Sequence, residues 1–301
     1  MAVRGKKSKQ QDPSYRTLKS DYYPVQRRIT LDTAVTNADY YTCDVGRQLS
    51  VVNHRLYRQG KTYQVKIDMD PKEAGPNTRY EIYALVDTWY VQKAWQLARA
   101  VYLENTAAER GVMSQQQIAR WEDFRVSSGL SLGGDVVPAR YSSSIARAAD
   151  TAGEFDLSEI TLADGTSKRF FTWGATAGNN LGILEEYNKT GRTQTSPHTI
   201  PADKAYSGTE GDVQEATQDD LAQKGNDPPY SSTDFNSRVW MKVATLDTTA
   251  QGQKLSTGYF NAPCGLVVIL PATPSDPIDA RLTLEVKAGQ YKGVAAMNMG
   301  A

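Results

Sequence analysis

The sequence predicts an all-β fold with helical insertions, its strands arranged as an antiparallel sandwich, and three observations carry that expectation. The first is the one unbroken apolar run, Leu266-Val267-Val268-Ile269-Leu270, set between Pro263-Cys264-Gly265 and Pro271. Five apolar residues are too few for a helix and suit a strand buried on both faces at a sheet centre. The second is period-two alternation: Tyr63, Val65, Ile67 and Met69 against Gln64, Lys66 and Asp68, and Leu282, Leu284, Val286 and Ala288 against Arg281, Thr283, Glu285 and Lys287. That is the pattern of half-buried strands. The third is spacing. Val239, Met241 and Val243 alternate with Trp240, Lys242 and Ala244, then come Leu255 to Phe260 and the apolar run, three strand-like runs in succession at turn spacing.

The chain opens on a basic arm. Residues 1–28 hold eight Lys and Arg against two Asp, which leaves 26 basic and 32 acidic residues in the remainder of a chain whose net charge is zero. The first part of this arm has no large apolar side chain beyond Val3, so on its own it cannot offset the entropy of ordering and is expected to be flexible. Ile29 to Thr36 reads as a first strand ending at an Asn37-Ala38-Asp39 turn, and Asp44-Val45-Gly46 as another turn. Leu49 to Tyr57 has β character with a mixed pattern. Gln59-Gly60-Lys61 then turns the chain into the strand over 61–69, residues 70–77 form a loop by their Pro and Gly content, and Arg79 to Val86 resumes a strand with Tyr80, Ile82 and Ala84 on one face.

The period changes at Asp87-Thr88, either of which can cap a helix. Val91, Ala94, Trp95, Ala98, Val101 and Tyr102 recur at helical steps and predict a helix over 88–104 whose aromatic stripe packs on a sheet. Ser114 with Gln117 matches a capping box, and Ile118, Trp121 and Phe124 suggest a second short helix, so a helical insert occupies residues 87–125. Residues 127–153 are rich in Ser, Gly, Ala and Arg and offer only a short strand at Val136-Val137. Strand-like runs return at 155–162, 168–173 and 181–187, separated by turns at Asp164-Gly165 and Gly178-Asn179-Asn180. Residues 194–230 are polar and acidic, a surface excursion with one helix near Val213 to Lys224, and an excursion this long is usually functional or disordered. The domain reading is a flexible arm over 1–28 and one folded domain over 29–301.

Little in the chain points to catalysis. Only His54 and His198 occur, in different regions, which leaves no nucleophile-plus-base arrangement. Cys43 and Cys264 have no metal-ligand or disulfide spacing and read as small buried hydrophobes. Gly174 to Gly182 is glycine-rich but lacks the Lys-Ser/Thr ending of a phosphate loop and reads as a turn with no helical pattern after it. Glu185-Glu186, placed on a strand, would point to opposite faces and would not converge on a metal. Asn188-Lys189-Thr190 matches a glycosylation sequon. The expectation is a protein without catalytic residues, cofactor or metal, made in a reducing compartment, with no apolar run long enough to span a membrane.

The segments TWYVQKAWQLARAVYLENTAAER and ARWEDFRV, then GILEEYNKTGRTQTSP, then PPYSSTDFNSRVWMKVATL and QKLSTGYFNAPCGLVVIL, resemble the capsid proteins of small circular single-stranded DNA viruses that encode a replication initiator, above all marine and environmental ones. The resemblance runs from Arg79 to Leu270. It implies an eight-stranded antiparallel jelly-roll sandwich of two facing sheets, whose long loops make the contacts of a closed icosahedral shell. It also implies a virion protein, passing through the host nucleus during assembly, whose partners are its own copies and single-stranded DNA. Arg4, Lys6, Lys7 and Lys9 are carried over as genome-facing residues that hold phosphate without reading bases. The arm departs from circovirus capsids in lacking their dense arginine tracts. Because the strand-like runs outnumber eight, two or three of them belong to loop hairpins.

Two rival readings share the fold. A carbohydrate-binding or phage decoration module would recognise ligands through its loops, and a cupin-type enzyme would need a cluster of metal-binding histidines that this chain does not supply. The basic tail, the long inserts, and a supply of 17 Tyr and 5 Trp suited to subunit interfaces favour the shell protein.

Overall fold

A computed structural model describes residues 24–32, 41–70, 79–112, 121–129, 134–135, 137–138, 157–162, 168–191, 239–248, 254–271 and 281–299. The first half runs β1 (Arg28–Asp32), β2 (Tyr41–Asp44), α1 (Val45–Asn53), β3 (Lys61–Met69), β4 (Arg79–Leu85), α2 (Trp89–Asn105) and α3 (Ala107–Val112). Short strands β5 (Gly134–Asp135), β6 (Val137–Pro138), β7 (Glu159–Thr161), β8 (Lys168–Thr172) and β9 (Asn180–Gly182) lead into α4 (Ile183–Gly191). The last part holds β10 (Trp240–Asp247), β11 (Phe260–Ala262), β12 (Leu266–Pro271), β13 (Arg281–Val286), β14 (Ala288–Gly289), β15 (Gly293–Val294) and β16 (Ala296–Asn298).

The fold is mostly β, built on antiparallel sheets with helices inserted between strands. One large sheet has the order β11-β3-β13-β1-β6, with β16 also on β3, and the other has the order β10-β4-β12-β2-β5. Side chains from both meet in one buried cluster: Ile29, Leu31, Val65, Ile67, Leu282 and Leu284 from the first, Cys43, Ile82, Leu246, Val267 and Ile269 from the second. The predicted sheet centre is where the apolar run placed it, since β12 lies between β4 and β2. Its odd-numbered residues Val267 and Ile269 enter the core between the sheets, while Leu266 and Val268 enter a second core on the other face. The alternation of β3 and β13 is likewise borne out, with Glu285 opposite Lys66 and Leu284 opposite Ile67.

The insert between β4 and β10 supplies that second core. Val91, Ala94, Trp95 and Ala98 of α2 join Phe171, Trp173, Ile183 and Leu184 over the outer face of the second sheet, on Leu85, Trp240, Leu266 and Val268. The helix predicted over 88–104 is present one residue later, with Thr88 at its N-cap. Its stripe is narrower than expected, because Val101 is exposed and Tyr102 only half buried.

Several local expectations are corrected. Leu49 to Tyr57 is not a strand: Asp44 caps α1 by accepting from the Arg47 amide at 2.9 Å, and Val45, Leu49 and Val52 form an i, i+4, i+7 stripe that the β-branched pair Val51-Val52 disguised. Asp44-Val45-Gly46 is therefore a helix start. The run 181–187 is one short strand and then α4, so a helix does follow the glycine-rich turn. Ser114 to Ile118 lie outside the described residues, α3 comes earlier, and Trp121 to Phe124 are not helical. A register shift between Lys242 and Ala244 breaks the expected alternation of β10 and leaves Met241 exposed. The inward pattern of β13 stops at Val286, since Ala288 is exposed. Residues 33–36 of the predicted first strand, residues 71–77 of the predicted loop over 70–77 and the acidic excursion over 194–230 lie outside the described residues.

Candidate functional site

Arg4, Lys6, Lys7 and Lys9, the residues that the sequence nominates for nucleic-acid contact, lie outside the described residues. What the fold does define is the point from which the arm departs. The Gln26 amide donates to Asn53 Oδ1 at 2.8 Å and Asn53 Nδ2 donates back to Gln26 O at 3.0 Å, tying the chain to the end of α1. Val25 packs on Gly293 so closely that a Cβ there would lie 2.8 Å from the valine Cγ2. The arm is thus rooted beside Lys292, the next residue in the chain.

Around that root the body is cationic. The connection from α1 to β3 carries Arg55, Arg58 and Lys61, and the β14–β15 turn brings Tyr291 and Lys292 onto it. Lys292 Nζ donates to Leu56 O, Lys61 Nζ lies 4.1 Å from the Tyr291 ring centroid, and the Arg58 amide donates to Tyr291 Oη at 3.1 Å. Among the described residues, no carboxylate is paired with Arg55, Arg58, Arg99, Lys61 or Lys292. Burial, then the neighbouring Arg58, pulls Lys61 below the usual lysine range, and burial with Arg55 and Arg58 does the same to Lys292. These cations repel one another, so the cluster carries a local excess of positive charge.

Between this cluster and α2 lies a pocket of about 660 Å³. Arg58, Lys61, Arg99 and Lys292 line it together with Trp95 and Tyr291, and Asp123 supplies its one carboxyl group. Gly60 makes the shape possible: a Cβ at this position would meet Trp95 Cη2 and Cζ2 at 2.5 Å, so only glycine lets the indole lie against the backbone.

A buried polar network fixes the pocket floor. The Gln59 amide donates to Asp123 Oδ2 at 2.6 Å, while its side chain donates to Asp44 Oδ2 at 3.2 Å and Val126 O at 3.1 Å and accepts from the Val126 amide at 2.6 Å. Arg125 Nη2 pairs with Asp44 Oδ2 at 2.5 Å, and the Arg125 amide donates to Ser158 Oγ at 2.9 Å. Three separate stretches, 44–59, 123–126 and 158, are thereby locked together.

Burial raises the Asp123 carboxyl to about 6, against the opposing pull of the Gln59 amide and the charges of Arg125 and Arg58. The folded protein therefore keeps a proton between about pH 4 and 6 that an unfolded chain releases. The stability contributed by this group is fully present below about pH 4 and is lost as pH rises through 6, a change of roughly 3 kcal/mol. Asp123→Asn keeps an acceptor for the Gln59 amide and cannot ionise. Urea midpoints measured from pH 4 to 7.5 are expected to show a flatter profile for this variant than for the parent, and identical profiles would exclude Asp123 as the titrating group.

The remaining residues singled out by sequence do not assemble. His54 is the exposed C-cap of α1 and His198 lies outside the described residues. Cys43 and Cys264 are both buried, as expected, and are not joined by a disulfide. Glu185 and Glu186, predicted to diverge on a strand, sit in the first turn of α4 and both reach Thr176, one accepting from its amide at 2.7 Å and the other from its hydroxyl at 3.2 Å, so they brace the glycine-rich turn. Among the described residues there is no group of three or more His, Cys, Asp or Glu placed to hold a metal, and no helix is long and apolar enough to cross a membrane.

Sequence reasoning passed over the pocket because its residues come from four distant stretches. The one local signal was the density of cations in His54-Arg55-Leu56-Tyr57-Arg58-Gln59-Gly60-Lys61, read only as strand and turn. Comparison of the chain with protein-family models, with curated proteins and with solved structures gave no match.

Proposed function

We propose that the chain is the coat subunit of a small icosahedral virus with a single-stranded DNA genome, a jelly roll whose basic arm lies against the packaged strand. Strand order carries this reading. Taking β1, β2, β3, β4, β10, β11, β12 and β13 as first to eighth, one sheet runs first-eighth-third-sixth and the other second-seventh-fourth-fifth, with every pairing antiparallel. An eight-stranded jelly roll has this connectivity, and viral coats, lectins and cupins share it. The shorter β5, β6 and β16 then count as additions at the margins. The basic arm supports the coat reading over the other two, because Arg4, Lys6, Lys7 and Lys9 offer phosphate neutralisation that a sugar-binding or cupin domain has no use for.

Electron microscopy of the purified full-length chain is expected to show closed particles of uniform size. A chain lacking residues 1–12 should still form them, since both described cores are built from residues 25–299, but should package less nucleic acid. Its log affinity for single strands should lose about 3 from the slope against log salt, roughly 0.7 for each of four cations. Monomer alone over a wide range of salt and pH would overturn the shell, and undiminished packaging by the truncated chain would overturn the role of the arm.

A further inference from the structure

We propose that the pocket between the α1–β3 connection, α2 and the β14–β15 turn holds one nucleotide of a single strand, its phosphate at Arg58, Lys61 and Lys292 and its base against Tyr291, with Trp95 closing the pocket wall. The coat-protein reading enters only as the source of that strand. The charge asymmetry asks for an anion: four cations line the pocket without an ion-pair partner among the described residues, facing one carboxyl group. Half-buried Tyr291 asks for more than an anion, while Trp95, only 7% exposed, closes the wall behind it. Base stacking on aromatic side chains beside a cationic track is how single strands are held without sequence preference. Arg99 already lies 5.9 Å from the Trp95 ring centroid and Lys61 4.1 Å from that of Tyr291, so each ring is paired with a cation.

Size and position agree. About 660 Å³ lies within the range of roughly 300 to 1,000 Å³ typical of small-ligand pockets. Asp123, with Oδ2 taken by the Gln59 amide, is the one acidic acceptor among the cations and suits a base amino group rather than a phosphate. The arm leaves the body at Val25, in contact with Gly293 and so one residue from Lys292. A sulfated glycan, which needs no aromatic wall, fits the site less well.

The test uses the full-length chain and an R58Q/K61Q variant, which removes two of the proposed phosphate cations and leaves the Arg58 amide bond to Tyr291 and both cores intact. Binding of a dye-labelled oligodeoxycytidylate, followed by anisotropy across a salt series, is expected to lose about 1.4 from the slope in this variant, roughly 0.7 for each cation removed. A photoreactive halogenated form of the oligonucleotide is expected to cross-link to the peptide containing Tyr291 in the parent, and to lose that adduct in the variant. Cross-links confined to the arm, with an unchanged slope, would overturn the proposal. So would inorganic phosphate competing as well as deoxycytidine monophosphate, which marks a bare anion site, or a heparin fragment occupying the pocket while the oligonucleotide leaves no adduct there. Microscopy on the same samples separates the two readings: adducts at Tyr291 without particles retain the pocket and reject the shell, and particles with arm adducts alone do the reverse.

Discussion

Arg125→Leu is expected to destabilise the body by about 3–5 kcal/mol, the usual consequence of removing one partner from a buried ion pair. The Arg125 and Asp44 side chains are only 5% and 11% exposed, so solvent cannot take over when the guanidinium is deleted. Asp44 would keep the Arg47 amide and the Gln59 side-chain amide as donors but would lose its only charged partner among the described residues. The loss reaches beyond the pair, because the same carboxylate caps α1 and holds Gln59, whose backbone amide positions Asp123 at the pocket floor. Urea unfolding measures the effect, and the double variant D44N/R125L decides its origin. Asp44→Asn retains a capping oxygen while removing the stranded charge, so the pair of changes should be less damaging than Arg125→Leu alone. A single-variant loss below about 1 kcal/mol, or strict additivity in the cycle, would show that the pair is not what joins these stretches.

Trp95→Ala is expected to lose about 3–5 kcal/mol, the range for deleting a large aromatic side chain from a core that closes only in part. The indole is 7% exposed and meets Phe124 edge-on at a centroid distance of 5.7 Å, in the cluster that seals α2 to the outer face of the second sheet. Gly60→Ala offers an independent check on the same contact. The added methyl would fall within 2.5 Å of the ring, so it should be poorly tolerated beside Trp95 and better tolerated once the ring is gone. Unchanged melting of Trp95→Ala, or a Gly60→Ala effect that does not depend on residue 95, would show that the helix does not seal the sheet through this side chain.

Both variants act on connections between the sandwich and its insert, and the pocket lies along the same seam. Gln59, Gly60 and Lys61 are consecutive, yet the first belongs to the buried network, the second to the aromatic contact and the third to the cationic face. A change in packing at this seam is therefore expected to alter the proposed ligand site, whereas loss of the arm leaves it standing.

Strong periodicity was what sequence alone could determine. β3 and β13 were legible because one buried face and one wet face impose alternation on every residue, and β12 because burial on both faces removes polar residues altogether. The stripe of α2 was legible for the same reason at a helical period, and the cationic arm because its charge is local. Shorter and mixed segments were decided by their surroundings. α1 has a short apolar stripe of three residues, Val45, Leu49 and the partly buried Val52, and its Val51-Val52 pair favours a strand until the Asp44 cap and the Gln59 network commit it to a helix. In α4, Glu185 and Glu186 read in sequence as diverging on a strand and find Thr176 only after the preceding turn folds back. The pocket belongs wholly to this second kind: Arg58, Trp95, Asp123 and Lys292 have no pattern in one dimension, because their spacing in sequence reflects loop lengths while their shared cavity depends on how the insert closes over the second sheet.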